Sequence, residues 1–210
     1  MLEPNEIILF PLSLVLNPGG RQSLRIFEPR YTDMVRECTR YSRPFGICAK
    51  LDGDDGKPAV CATGTQARIV DFYTLPDGLL GIEVEGEARF HVEAVSARDN
   101  GLSIARFNLL KPELDHPVPP EFSLLAELVA GYFNATKQTQ KLNPQLLDSA
   151  SWISYRLAEV LPLELIERQR LLEMPTPSLR LQQLLEWLPR FRSEADDDDD
   201  DDDPAGGGPT

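Results

Sequence analysis

The chain has 210 residues, enough for one large domain or two small ones with a core that needs no disulfide or metal to hold it. Its net charge of −13 is local: Glu194 and Asp196–Asp203 supply nine acids, while residues 1–193 carry 25 acidic against 21 basic residues. The body is therefore near charge balance and offers no basic face of the kind nucleic-acid binding requires.

The N-terminus, Met1-Leu-Glu-Pro-Asn-Glu, has neither the basic start nor the long apolar run of a signal peptide. No stretch reaches the roughly 18 apolar residues of a membrane span. A cytoplasmic protein with no membrane contact is expected, and the odd count of cysteines (38, 48 and 61) suits reduced thiols packed as small apolar side chains. Ile7–Phe10 reads as a buried strand, Pro18-Gly19-Gly20 as a turn, and Leu24–Phe27 as the start of a second strand. Glu28-Pro29 opens a helix to about Tyr41, with Pro29 at the first position and Tyr31, Met34, Val35 and Cys38 on one apolar face.

From Ile82 to Ala94 apolar or small residues alternate with Glu83, Glu85, Glu87, Arg89, His91 and Glu93, the period of a half-buried strand. The polar set, Arg89 included, reads as one solvated row. Turn signals at Pro76-Asp77-Gly78 and Asp99-Asn100-Gly101 predict pairing with strands at 64–73 and 102–109, an antiparallel meander bent at Gly86 and covered by the Pro29 helix. Asp52–Gly56 reads as a hairpin loop, because its spacing lacks the glycine and glutamate of a calcium loop.

The prolines of His116–Pro120 break the β pattern and set a boundary, with a β-rich unit over 1–116 and a helical unit over 117–193. Helical spacing follows at Phe122, Leu125, Leu128, Val129, Tyr132 and Phe133. A second helix is expected from the Asn143 cap through Leu147, Ala150, Ile153, Leu157 and Leu161. A third begins at Leu161-Pro162, and a last one follows Thr176-Pro177. Four short helices with short connections predict a four-helix bundle. Residues 194–210 are a disordered acidic tail by composition.

Several of these segments together resemble the Lon protease N-terminal (substrate-binding) domain family. They are the opening Ile7–Tyr31, Phe45-Gly-Ile-Cys48, Gly64-Thr-Gln-Ala-Arg-Ile-Val-Asp71, Glu85-Gly-Glu-Ala-Arg-Phe90 and Leu161-Pro162 through Glu173, and the likeness runs over about 5–190. The resemblance implies an α+β chain in which a twisted, partly closed antiparallel β-domain of the PUA-like type precedes the helices. It implies a stand-alone, non-catalytic module that recognises unfolded or flexible polypeptide segments, as an adaptor to a protease or chaperone or as a holder. The chain contains no G-x-x-x-x-G-K-[ST] loop to cradle nucleotide phosphates, and the resemblance leaves the Ser-Lys peptidase domain without a counterpart, so neither ATPase nor peptidase activity is expected. No cofactor or metal is expected, and a monomer or weak homodimer is. A small-molecule binder using the same groove is the alternative.

A peptide site needs an apolar patch with a polar rim. The seam between the β-domain and the helices is the candidate, with Phe10, Leu12, Phe27, Tyr31 and Phe45 as the apolar part and Arg25 and Arg30 on the rim. Glu28 is read as structural, paired with Arg25 or Arg30 and bonded to free N–H groups at the helix start, as are Pro29, Gly19, Gly64 and Gly86.

Overall fold

The computed structural model describes residues 2–52, 58–136 and 143–197. The loop read at 53–56 and the tail from 198 onward lie outside the described residues. Six strands, β1 (Glu6–Leu12), β2 (Arg21–Ile26), β3 (Phe45–Asp52), β4 (Pro58–Thr74), β5 (Leu80–Ala97) and β6 (Ser103–Leu109), form one sheet, with α1 (Pro29–Tyr41) between β2 and β3. β5 is long enough to serve two partners on one side. Its first half pairs with β2 and its second with β6, while β6 also pairs with β1, so the ring β1-β3-β4-β5-β6 closes on itself and β2 lies outside it.

The expected meander β4-β5-β6 is present and antiparallel. One pairing differs from expectation: β1 runs parallel to β3, with Phe10 opposite Ile47, so the sheet is mixed. The connection between them carries β2 and α1, a crossover of the kind parallel strands require. β1 shows why an unbroken apolar run was needed. Ile8 and Phe10 pack in the cluster under α1, whereas Ile7 and Leu9 pack with Cys48, Phe90 and Ala105 on the other face.

The apolar face of α1 forms as its spacing predicts, with Tyr31, Met34, Val35 and Cys38 all buried. Burial pushes the Cys38 and Cys48 thiols up to about 12, which suits inert core residues, and Cys61 is half-buried.

The alternation along β5 is interrupted by a bulge after Gly86 and by another between Val92 and Ala94, and the first has the larger consequence. Between the pairs Ala67–Gly86 and Thr65–Arg89, β5 uses one residue more than β4, and this bulge reverses the side-chain phase just after Gly86. Ala88 therefore faces solvent and Arg89 turns inward, where its guanidinium is 6% exposed and bonds the Glu113 carboxylate at 2.6 Å. Arg89 is not part of a solvated row. Gly86 fits this corner because an added Cβ would stand 2.2 Å from the Asn17 carbonyl oxygen, and the Gly19 and Gly20 backbones bond it directly.

Beyond β6 come α2 (Ser123–Ala135), α3 (Pro144–Leu147), α4 (Ala150–Val160), α5 (Leu165–Glu173) and α6 (Pro177–Asp197). The single helix expected over 144–161 is two. Asn143 caps the short α3, and Ser149 then accepts from the Trp152 N–H and starts α4, held in place by a bridge between Ser149 and Pro117. The helix expected at Leu161-Pro162 starts at Leu165 behind a Glu164/Glu167 capping box. α6 runs on to Asp197, past Glu194 where the acidic run begins. Leu125, Val129, Ile153, Leu157, Leu171, Leu181 and Leu184 form the common core of these helices.

Candidate functional site

The strand-to-helix junction singled out in the sequence does not sit at the seam. Phe10, Tyr31 and Phe45 are core residues: the Phe10 and Tyr31 rings stack at 4.0 Å, and Phe45 lies against Phe10 at 6.1 Å. Leu12 is half-buried against the same cluster. Arg25 is exposed and pairs with Asp77, and Phe27, 66% exposed, stands at the end of β2.

Glu28 bonds Arg30, whose Nε donates to its carboxylate at 2.7 Å, and Arg30 also reaches the Gly101 carbonyl. The Glu28 carboxylate does not bond the helix N–H groups; its backbone carbonyl accepts from Tyr31 and Thr32 instead. Two side chains each more than a third exposed hold a weak pair. Glu28→Gln should therefore change the free energy of unfolding in denaturant by no more than about 1 kcal/mol.

The seam itself is built by the Asn17–Gly20 turn. Gly19, with φ +67°, lets the chain double back so that Gly19 donates to Gly86 and Gly86 donates to Gly20. The carbonyls of Pro18 and Gly19 are thereby aimed at α4, where the buried Arg156 guanidinium donates to them at 2.9 and 3.0 Å. Glu159 pairs with Arg156 at 3.0 Å and accepts from the Asn17 amide, which also bonds the Tyr155 carbonyl. Burial pushes the Glu159 carboxyl up and the Arg156 guanidinium down, and the attraction between them offsets part of each shift.

Two open grooves flank this joint and share Arg21 and Glu159. The first, about 520 Å³, has Gly19, Arg21 and Glu85 on the sheet side and an aromatic wall of Tyr132, Phe133 and Trp152 on the helical side. Phe133 stacks on Trp152 at 5.7 Å and meets Tyr132 edge-on at 5.8 Å. Arg21 is fixed by Glu83 and Glu85 across β5. The second groove, also about 520 Å³, lies between the 13–16 loop, the start of β2 and the α4–α5 junction, with Leu14, Leu16, Leu163 and Leu165 in its lining. An aromatic wall opposite fixed charges can take up apolar side chains and orient the polar backbone between them.

The sequence holds one signal for this wall. Tyr132 and Phe133 are adjacent on a helix and cannot share one buried face, so one of the two had to be presented outward. Phe133 is buried, and Tyr132 is 40% exposed in the groove.

Residues 6–190 match the family described as the ATP-dependent protease La (LON) substrate-binding domain. The crystal structure of a Lon N-terminal domain protein from Xanthomonas campestris is similar, with a TM-score of 0.72 at 41% identity over 87% of this chain and 98% of that one. Lon protease of Rhizobium meliloti (strain 1021) is 26% identical over 199 residues, covering 90% of this chain and 23% of that protein. Lon protease of Buchnera aphidicola subsp. Baizongia pistaciae (strain Bp) is 33% identical over 194 residues, covering 88% of this chain and 24% of that protein. The chain thus spans about a quarter of the length of these two relatives.

Proposed function

The chain belongs to the Lon substrate-binding domain family, and from that premise we propose that it is a non-catalytic module that takes exposed apolar segments of other polypeptides into the seam groove. In this reading it holds such segments or hands them to a separate protease or chaperone. The observation that carries the proposal is the aromatic wall of Tyr132, Phe133 and Trp152 facing Arg21 and Glu85 across an open groove. Tyr132, 40% exposed, and the half-buried Trp152 keep part of this wall open to solvent. Clients that are unfolded share apolar side chains and free backbone groups, and a trough with an apolar wall and charged rim meets both. Among the described residues no helix is long and apolar enough to cross a membrane. Of the residues expected from the sequence, Arg25 and Phe27 are exposed, while Phe10, Tyr31 and Phe45 belong to the core under α1 and not to the groove.

The test is fluorescence anisotropy with a labelled, permanently unfolded apolar peptide. Tyr132→Ala should weaken binding about tenfold, the effect of losing one aromatic contact worth more than 1 kcal/mol, with an unchanged unfolding midpoint. Unchanged affinity in that variant would move the site elsewhere, and no binding by the unaltered chain would end the reading.

A further inference from the structure

The closed ring of strands leaves β2 as the sheet's outer strand. Its partner on one side is β5, and among the described residues no backbone hydrogen bond reaches it from the other side. Which groups this exposes follows from the ladder. The Gly86 N–H donates to the Gly20 carbonyl, and bonded pairs alternate along an antiparallel register, so Gln22, Leu24 and Ile26 are the residues bonded to Val84, Ile82 and Leu80. The N–H and C=O groups of Ser23 and Arg25 then point away from β5, and the Ser23 carbonyl accepts from the Gln22 side-chain amide at 3.1 Å, a local bond that an incoming strand would displace. The strand offers six residues of edge, about 20 Å.

Unpaired donors and acceptors at strand spacing are satisfied by another extended backbone. We propose that β2 captures the client polypeptide as an added β-strand, so that recognition runs through the client's main chain and one row of its side chains faces the groove where Leu14, Leu16, Leu163 and Leu165 sit among the polar side chains of Gln22, Glu159 and Arg168. This rests on the polypeptide-recognition reading above and names how that site selects. A module serving many unfolded clients gains from reading the backbone, the one feature they share. The class selected is an extended, proline-free segment with apolar residues at alternate positions.

A second copy of the chain is a poor occupant of the same edge. Antiparallel self-pairing centred on Ser23 would set Arg21 of each copy opposite Arg25 of the other, which places four guanidinium groups in one short ladder. Charged residues at these positions guard against edge-to-edge association while leaving the backbone open to a strand without basic residues there. Arg21 lines both grooves, so the start of β2 borders the aromatic groove as well.

The test uses the full chain and a labelled ten-residue peptide of alternating valine and serine, alongside the same peptide N-methylated at its backbone amides. The added-strand account predicts that N-methylation weakens binding at least tenfold. It also predicts that the unmodified peptide slows amide hydrogen exchange at Ser23 and Arg25 at least tenfold. Ser23→Pro, which removes an outward N–H on an outer strand, should weaken binding to a similar degree. If that variant does not fold, the exchange measurement on the unaltered chain decides. Equal binding of both peptides with unchanged exchange at Ser23 and Arg25 overturns strand addition and leaves polypeptide recognition standing. Failure of the unmodified peptide to bind overturns both. Exchange at these amides that slows with protein concentration alone assigns the edge to a second copy and overturns the proposal.

Discussion

Replacing Glu113 with glutamine should lower the free energy of unfolding by about 3–5 kcal/mol, because it leaves two buried arginines without their counter-charge. The Glu113 side chain is 8% exposed, and its carboxylate accepts from Arg89, from both terminal nitrogens of Arg180, and from the Tyr155 hydroxyl at 2.6 Å. Arg180, fully buried, stacks over the Tyr155 ring at 3.9 Å, and Arg89 also donates to the carbonyls of Leu172 and Met174. One carboxylate in the connection after β6 thus joins β5, α4, α6 and the end of α5. Glutamine keeps the shape and one acceptor but not the charge, so urea unfolding reads the loss of the ionic part.

The same residue sets a pH dependence. Burial pushes the Glu113 carboxyl up, but hydrogen bonds from Arg180 and Tyr155 and the charges of Arg180 and Arg89 outweigh it, and the group ends below its ordinary value. A carboxyl depressed in the folded state contributes stability that is complete above the unfolded value and is lost as pH falls through the folded one. Glu37 and Glu167 shift the same way through hydrogen bonds from Arg98 and Arg190. The unaltered protein should lose stability on acidification through and below the ordinary carboxylate range. Glu113→Gln should show a shallower loss, so the two converge in acid.

The second large effect belongs to Gly64. A Cβ there would stand 2.4 Å from the Ile47 carbonyl oxygen, 2.4 Å from the Cys48 sulfur and 2.9 Å from the Phe90 ring. Gly64 pairs with Cys48 on one side and Phe90 on the other, at the buried centre of β3, β4 and β5. Because backbone is among the obstacles, a side-chain rotation cannot relieve the clash, and Gly64→Ala should cost about 3 kcal/mol. Gly131 provides the contrast: it is exposed on α2 with nothing near an added Cβ, and Gly131→Ala should stabilise by about 0.5–1 kcal/mol. Thermal and denaturant unfolding of the two variants should therefore move in opposite directions.

The local elements were legible in the sequence where a period or a cap carried them. The α1 face, the β5 alternation up to Gly86, the Asn143 cap and the unbroken apolar run of β1 each correspond to what the structure contains. What escaped was set by distant partners. The parallel pairing of β1 with β3 has no local signature, since the same apolar run would suit either direction. The period of two that puts Arg89 in a solvated row continues in the sequence through a bulge that reverses it in space. The break at Ser149 depends on Pro117 bridging to it from over thirty residues away.

The candidate site was legible only as a location. The aromatic residues expected beside the seam serve the core under α1, and those that line the groove come from α2, where helical spacing puts Tyr132 and Phe133 among the internal positions, and from α4, where Trp152 lies off the apolar stripe. Arg156 could not be placed from sequence at all. Glu159, three residues on, is a partner the helical spacing could suggest, but the others are carbonyl groups of a turn more than a hundred residues earlier, and backbone acceptors leave no mark in the side-chain pattern.

The central claim is that the seam groove holds the client, and site-directed photo-crosslinking tests it most directly. A photoreactive phenylalanine analogue at position 132, in the aromatic wall, is compared with one at position 41, an exposed tyrosine at the end of α1. With an unfolded apolar peptide present, position 132 should crosslink the peptide and position 41 should not. Crosslinking at 41 with none at 132 would contradict the account.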